Sequence, residues 1–136
     1  MDFFQWKKTY LVGIEEIDEQ HMEIFSRINQ LHGAVSEKKT HKEISTMLNG
    51  LTCFTLHHLD TEESLMIDHN YPLTDEHKRE HQHLVNEVVE FNQNYETNPK
   101  LMRSDVLNFL KNWVKHHIMD TDKKLGLYLK EKGKGA

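Results

Sequence analysis

Four long stretches of the chain repeat their apolar residues every third or fourth position, the period of an amphipathic helix. In the first, Ile17, Ile24, Ile28, Leu31 and Val35 fall on one line and predict a helix over about 17–35. The same spacing predicts helices over about 44–66, 74–95 and 101–122, with a short tail helix near 125–129. Breakers separate them: "SEKKTHKE", "DHNYP" with Pro72, and "NYETNP" with Pro99. Thr74 or Asp75 is placed to cap the third helix, and Ser104 competes with Pro99 for the start of the fourth. Gly50 interrupts the second at a cost of about 1 kcal/mol against alanine. The expectation is an all-α fold, an up-down-up-down antiparallel four-helix bundle. It forms a single domain over 1–136, with a non-helical arm at 1–16, the bundle over 17–122 and a tail at 123–136.

The apolar stripes are interrupted by residues that a bundle core does not need. On the third helix His77, His81, Leu84, Val88, Phe91 and Tyr95 make one continuous line. On the second, His58 and Glu62 continue the face of Ile44, Met47, Leu51 and Phe54, with Leu65 beyond them. His117 shares a face with Val106, Leu110 and Trp113, and His21 lies on the line of Ile17 and Ile24. Spacing alone is a poor filter, because His83/Glu87 and His116/Asp120 have it too. Those pairs lie off the stripes, among residues such as Gln82, Glu80 and Glu90, and read as solvated.

Alternation of direction brings the inward histidines together. His21 opens its helix, His58 and Glu62 lie late in theirs, His77 and His81 open the third, and His117 closes the fourth. In an antiparallel bundle these places share one end. His32 also faces inward but sits about 16 Å along the first helix from His21. One buried histidine is most often a hydrogen-bonded core residue. Five at one level with a carboxylate are too many polar groups to bury unpaired, and a metal is the natural compensation. Imidazole and carboxylate without thiolate suit iron, zinc, copper or manganese. The set exceeds one tetrahedral zinc and suits two six-coordinate ions better. The two Glu-x-x-His motifs of ferritin-like di-iron bundles are not met: Glu80-x-x-His83 stands alone and off the core face.

Composition narrows the setting. The 136 residues are 37% hydrophobic and 29% charged, with a net charge of −5, which points away from nucleic acid and anionic membranes. No apolar run approaches a membrane span, and "MDFFQWKKTY" lacks a secretory core. Cys53 is the only cysteine, which excludes an internal disulfide and fits the cytoplasm. The charged outer faces suggest a monomer.

The stretches "GIEEIDEQH" (13–21), "HLDTEESLM" (58–66), "YPLTDEHKREHQHL" (71–84) and "WVKHHIMDTD" (113–122) together resemble the hemerythrin family, in its short bacterial form. The resemblance spans nearly the whole chain. It implies two non-heme irons with an oxo or hydroxo bridge: His77, His81 and His117 on one, His21 and His58 on the other, Glu62 and Asp122 bridging. Leu59 stands where many members carry an aromatic residue. Asp122 is five residues beyond His117, about 140° round an ideal helix, so periodicity favours Asp120 while the family spacing favours Asp122 through a wide turn.

With both carboxylates and one oxygen bridging, the three-histidine iron is saturated and the two-histidine iron keeps an open position. The resemblance implies reversible O2 binding there, for storage, delivery or buffering, against a pocket of Ile24, Phe25, Leu59, Trp113, Val114 and Ile118. The recipient of that O2 is not legible. Two other classes stand beside this one: a redox or O2 sensor acting through a partner, and a di-iron enzyme handling peroxide or nitric oxide.

Overall fold

The computed structural model describes residues 3–98, 100 and 104–133, and for 104–106 the backbone alone. Among these residues it is all helix: α1 Glu15–Ser36, α2 His41–Asp68, α3 Thr74–Thr97, α4 Ser104–His116 and α5 Lys123–Glu131. A π-helical turn, His117–Asp122, joins α4 to α5 without a break. The four long helices make the expected bundle. Pro99, Leu101 and the last three residues lie outside the described set, as do the side chains of Ser104 and Val106.

Local chemistry sets boundaries that periodicity misses. The second helix begins three residues before Ile44, because Thr40 and Glu43 form a capping box. The Thr40 hydroxyl accepts from the Glu43 amide at 3.1 Å and donates to its carboxylate at 3.0 Å. Neither Thr74 nor Asp75 caps α3. The N-cap is Leu73, and the Thr74 hydroxyl instead donates to the Tyr71 carbonyl at 2.6 Å. Asn70, in the left-handed region at φ 53, ends α2 and turns the chain toward α3.

The arm is not wholly extended: Lys8–Tyr10 form a 3-10 turn. Two side chains of α1 fasten it. Asp18, buried on the core side, accepts the amides of Val12 at 2.7 Å and Gly13 at 3.2 Å. Asn29 exchanges hydrogen bonds with the backbone of Phe4, and Phe4 stacks on Phe25. His32 stacks face to face on Phe3, so it belongs to this arm contact and not to the histidine group.

Two apolar clusters form. The larger fills the long part of the bundle, with Ile28, Leu31, Leu48, Leu51, Tyr95 and Leu107 at its centre. The smaller is a cap built from the arm, the ends of α1 and α2, and α5: Val12, Ile14, Ile17, Met66, Leu125 and Leu129. The histidine layer lies between them. Two stripes are rotated from their expected centres. Met47 and Phe54 flank the second helix's buried line, which runs through Leu48, Thr52, Leu59 and Met66. Among the described side chains of α4 and the π-helical turn the buried apolar residues are Leu107, Val114 and Ile118, with Leu110 and Trp113 at the edge.

Candidate metal centre

Each helix brings its inward polar residues to the layer. His21, His58, His77, His81 and His117 are at most 2% exposed, and Glu62 and Asp122 are fully buried. All five imidazoles present Nε2. They divide into two groups with ligand atoms within 4.8 Å of one another: His77, His81 and His117 with Glu62, and His21 and His58 with Glu62 and Asp122. The carboxylates are shared by their two oxygens. Glu62 Oε1 lies 3.2, 3.0 and 3.3 Å from Nε2 of His77, His81 and His117, while Oε2 lies 3.0 Å from His58 and 3.6 Å from His21. Asp122 Oδ1 lies 3.1 Å from His77 and 2.8 Å from His117, and Oδ2 lies 2.7 Å from His21.

The backbone brings Asp122, and not Asp120, into the buried layer. A π-helical turn closes over five residues where an α-turn closes over four, so His117 and Asp122 stand one above the other on the same face. Asp120 is turned outward and pairs with His116 on the surface at 3.1 Å.

Several of these buried atoms are gathered without being paired. His58 Nε2, Glu62 Oε2 and Asp122 Oδ1 have no hydrogen-bond partner, although His58 and Glu62 approach to 3.0 Å. Buried polar atoms at such distances but out of hydrogen-bond alignment need another partner, and a shared cation fits that requirement. Electrostatics show what replaces it when no cation is bound. Burial pulls the His58 imidazolium down, but the negative charges of Glu62 and Asp122 close by outweigh it and push it up to about 9. In His77 burial is again opposed, by the Asp122 carboxylate 3.1 Å away and the hydrogen bond to Glu62, and the result is about 9. Burial lowers His117 too, and the Asp122 charge outweighs it and holds the imidazolium well above its ordinary value. Glu62 and Asp122, despite burial, are held far below the carboxylate range by His58 and His117. Protons on the imidazoles and a metal are alternative counter-charges for the same two carboxylates.

Three residues that periodicity places outside the site support it. Nδ1–H of His58 donates to Gln20 Oε1 at 2.8 Å, that of His81 to Glu63 at 3.1 Å, and that of His117 to Glu80 at 2.7 Å. Each bond fixes the tautomer that leaves Nε2 free to ligate. Glu80 also accepts from Thr121 Oγ1 at 2.8 Å, so it is a bonded, half-buried residue and not a solvated one. Each supporter is next in sequence to a ligand of its own helix yet bonds a ligand of the following helix. The bonds therefore run from α1 to α2, α2 to α3 and α3 to the end of α4. That adjacency is the signal from which they could have been found. His83 and Glu87 pair on the surface, as expected.

The apolar residues expected around the open position are distributed differently. Ile24, Phe25, Leu59, Val114 and Ile118 are buried, whereas Trp113 is half-exposed and lies flat on His117, ring centres 4.7 Å apart. Ile24 and Val114 line a common cavity with residues of the long core; Phe25, Leu59, Trp113 and Ile118 are not on its wall. Phe25 instead packs against the arm, edge-on to Trp6 and stacked on Phe4.

Comparison with known proteins agrees with the geometry. Residues 12–129 match the family described as the hemerythrin HHE cation binding domain. Bacteriohemerythrin of Pseudomonas aeruginosa (strain LESB58) is 31% identical over 117 residues, covering 86% of this chain and 75% of the relative. Bacteriohemerythrin of Methylococcus capsulatus is 28% identical, covering 80% and 82%. The hemerythrin-like protein of Naegleria gruberi is also 28% identical, covering 89% of each. The crystal structure of wild-type hemerythrin superposes with a TM-score of 0.87 at 26% identity, over 93% of this chain and 98% of the other. The chain is a histidine-rich four-helix bundle that belongs to the hemerythrin family, a family of O2-binding domains with a non-heme di-iron centre.

Proposed function

We propose that the protein binds O2 reversibly, for storage, delivery or buffering, at two irons held by the seven residues of the buried layer. In this reading His77, His81 and His117 hold one iron, His21 and His58 hold the other, and Glu62 and Asp122 bridge. The observation that carries it is the division of the carboxylate oxygens. One oxygen of each faces a three-imidazole group and the other a two-imidazole group. With three imidazoles on one side and two on the other, the two-histidine iron would have one protein ligand fewer, and O2 would be taken up there. When bound, the iron pair supplies the two-electron redox chemistry that O2 binding requires.

The chain's own residues do the rest. Gln20, Glu63 and Glu80 hold three imidazoles in the ligating tautomer and orientation, so little rearrangement accompanies metal uptake. Trp113 backs His117 from the solvent side. Ile24, Leu59, Val114 and Ile118 keep water and external acid from the buried layer, which slows irreversible oxidation. No hydrogen-bonding acid or base beyond the ligands is needed for binding, which favours a carrier over an enzyme.

The test is an optical spectrum of protein with iron determined per chain, recorded reduced under nitrogen, then in air, then under nitrogen again. A visible charge-transfer band that appears in air and disappears on deoxygenation is expected. Irreversible oxidation, or turnover of peroxide or nitric oxide, would replace the carrier reading with a redox enzyme or sensor. Fewer than two irons per chain would remove the seven-ligand assignment itself.

A further inference from the structure

Below the histidine layer the bundle is not closed all the way round. α1 packs along α2, α2 along α3, and α1 meets α4, but among the described residues α3 and α4 approach each other least. Val88 and Phe91, on the core stripe of α3, are accordingly half-exposed, and Phe109 of α4 is 41% exposed. Between the two helices opens a cavity of about 310 Å³. Its floor is buried and apolar: Ile28, Leu51 and Leu84, with Ile24 and Val114 toward the metal end. Along α3 it runs from Leu84 to Phe91, about 10 Å at the helical rise.

We propose that this cavity is a binding site for a small neutral apolar molecule, of the size of one aromatic ring or a short alkyl chain. The space is about twice that of an engineered apolar cavity that stays dry and takes up benzene, and about ten times what a diatomic or a water fills. The lining sets the chemical class. Thr52 is the buried hydroxyl on the wall, and both its functions are used: it donates to the Leu48 carbonyl at 2.9 Å and accepts from the Asn92 amide at 2.9 Å. It has no donor left for a guest. Among the lining residues only Glu87 ionises, at the exposed rim beside His83. The other hydroxyl on the wall, half-buried Thr55, is a single neutral donor. A carboxylate guest therefore meets the like charge of Glu87 and no cationic group, so a neutral guest is selected. The inference does not rest on which residues hold iron, and its readout is uptake of the guest, which the iron assignment does not enter.

The experiment is equilibrium uptake of toluene from the vapour by the iron-loaded protein, with benzoate dialysed against the same protein as the anionic counterpart. Saturable uptake of one toluene per chain and none of benzoate is expected. Val88→Trp, which fills the cavity from its rim without touching the histidine layer, should weaken toluene uptake about tenfold or more. Should that variant fail to fold by circular dichroism, Thr55→Phe fills the same space from α2. Uptake that does not saturate, equal uptake by a folded filling variant, or equal uptake of benzoate would each overturn the proposal.

Discussion

The histidine layer and the long apolar core are built from the same four helices, only a few turns apart, yet they are held together by different physics. In the core, Ile28, Leu31 and Leu107 are at most 1% exposed, and any well-fitting apolar group serves. In the layer every group is polar, and stability depends on each having a partner. The layer is held more tightly: three of its five imidazoles are locked by cross-helix bonds from Gln20, Glu63 and Glu80. The core tolerates a seam wide enough to leave 310 Å³ unfilled. Precision in this bundle is placed where charge has to be balanced, and apolar burial elsewhere needs only approximate fit.

This contrast can be broken at Glu62. Glu62→Leu removes one of the two side chains that face both groups of imidazoles, and iron content should fall from two per chain toward zero, by iron analysis. The fold should survive, by circular dichroism, because the imidazoles left without Glu62 can give up their protons and stay buried as neutral rings. Stripping iron with a chelator should lower the thermal midpoint by about 10 °C or more, since metal binding to the folded form alone is folding energy. Burial of Leu31 gives the core counterpart: Leu31→Ala should cost about 3 kcal/mol in a urea titration and leave iron content at two.

The pH dependence sharpens the comparison, because the imidazoles raised by their surroundings belong to the layer. His58 and His77 are raised to about 9 in the metal-free protein, above their ordinary value of 6.5. Raised bases stabilise the fold while protonated. Their contribution is fully present below pH 6.5 and is lost as the pH rises through 9, so the urea midpoint of metal-free protein should fall across that window. The iron-loaded protein should not follow it, since ligation already requires neutral imidazoles. Glu62 and Asp122 are shifted down, so their contribution is present above the ordinary carboxylate range and disappears only in strong acid. The smallest effect is expected at Glu80→Gln, which keeps a hydrogen bond to His117 but loses its charge. Iron should be lost to a chelator about tenfold faster, with both irons still binding at first.

Much of this is legible in the sequence because a core stripe is a strict geometric filter. A histidine at the spacing of Leu84 and Tyr95 can only point where they point, and the alternation of helix direction then sets its level. Periodicity reports the face a residue occupies and nothing about its reach. Glu80 starts off the stripe, yet its side chain is long enough to turn in and meet His117 and Thr121. Gln20 and Glu63 escape for the same reason. Asp122 escapes differently: the 3.6-residue period is itself what fails there, and only the family spacing indicated it. The rotation of the α2 stripe toward Thr52 and Leu59, and the open seam at Val88 and Phe91, depend on how helices lie against one another, which no single helix encodes.

The π-helical turn at His117–Asp122 has a second consequence, downstream of the aspartate. An inserted residue shifts the phase of everything after it by about 100°. That shift helps to set which face of α5 comes inward, and Leu125, Gly126 and Leu129 are the residues that do so, completing the cap beneath the layer. Winding the same residues as a regular α-helix would improve the backbone bonding at this point. It would also carry Asp122 about 140° round from His117, out of the layer, and turn the cap's apolar side toward water. A locally better helix would thus take a carboxylate from the layer and open the cap, so the irregularity acts as a phase-setting joint shared by two parts of the molecule.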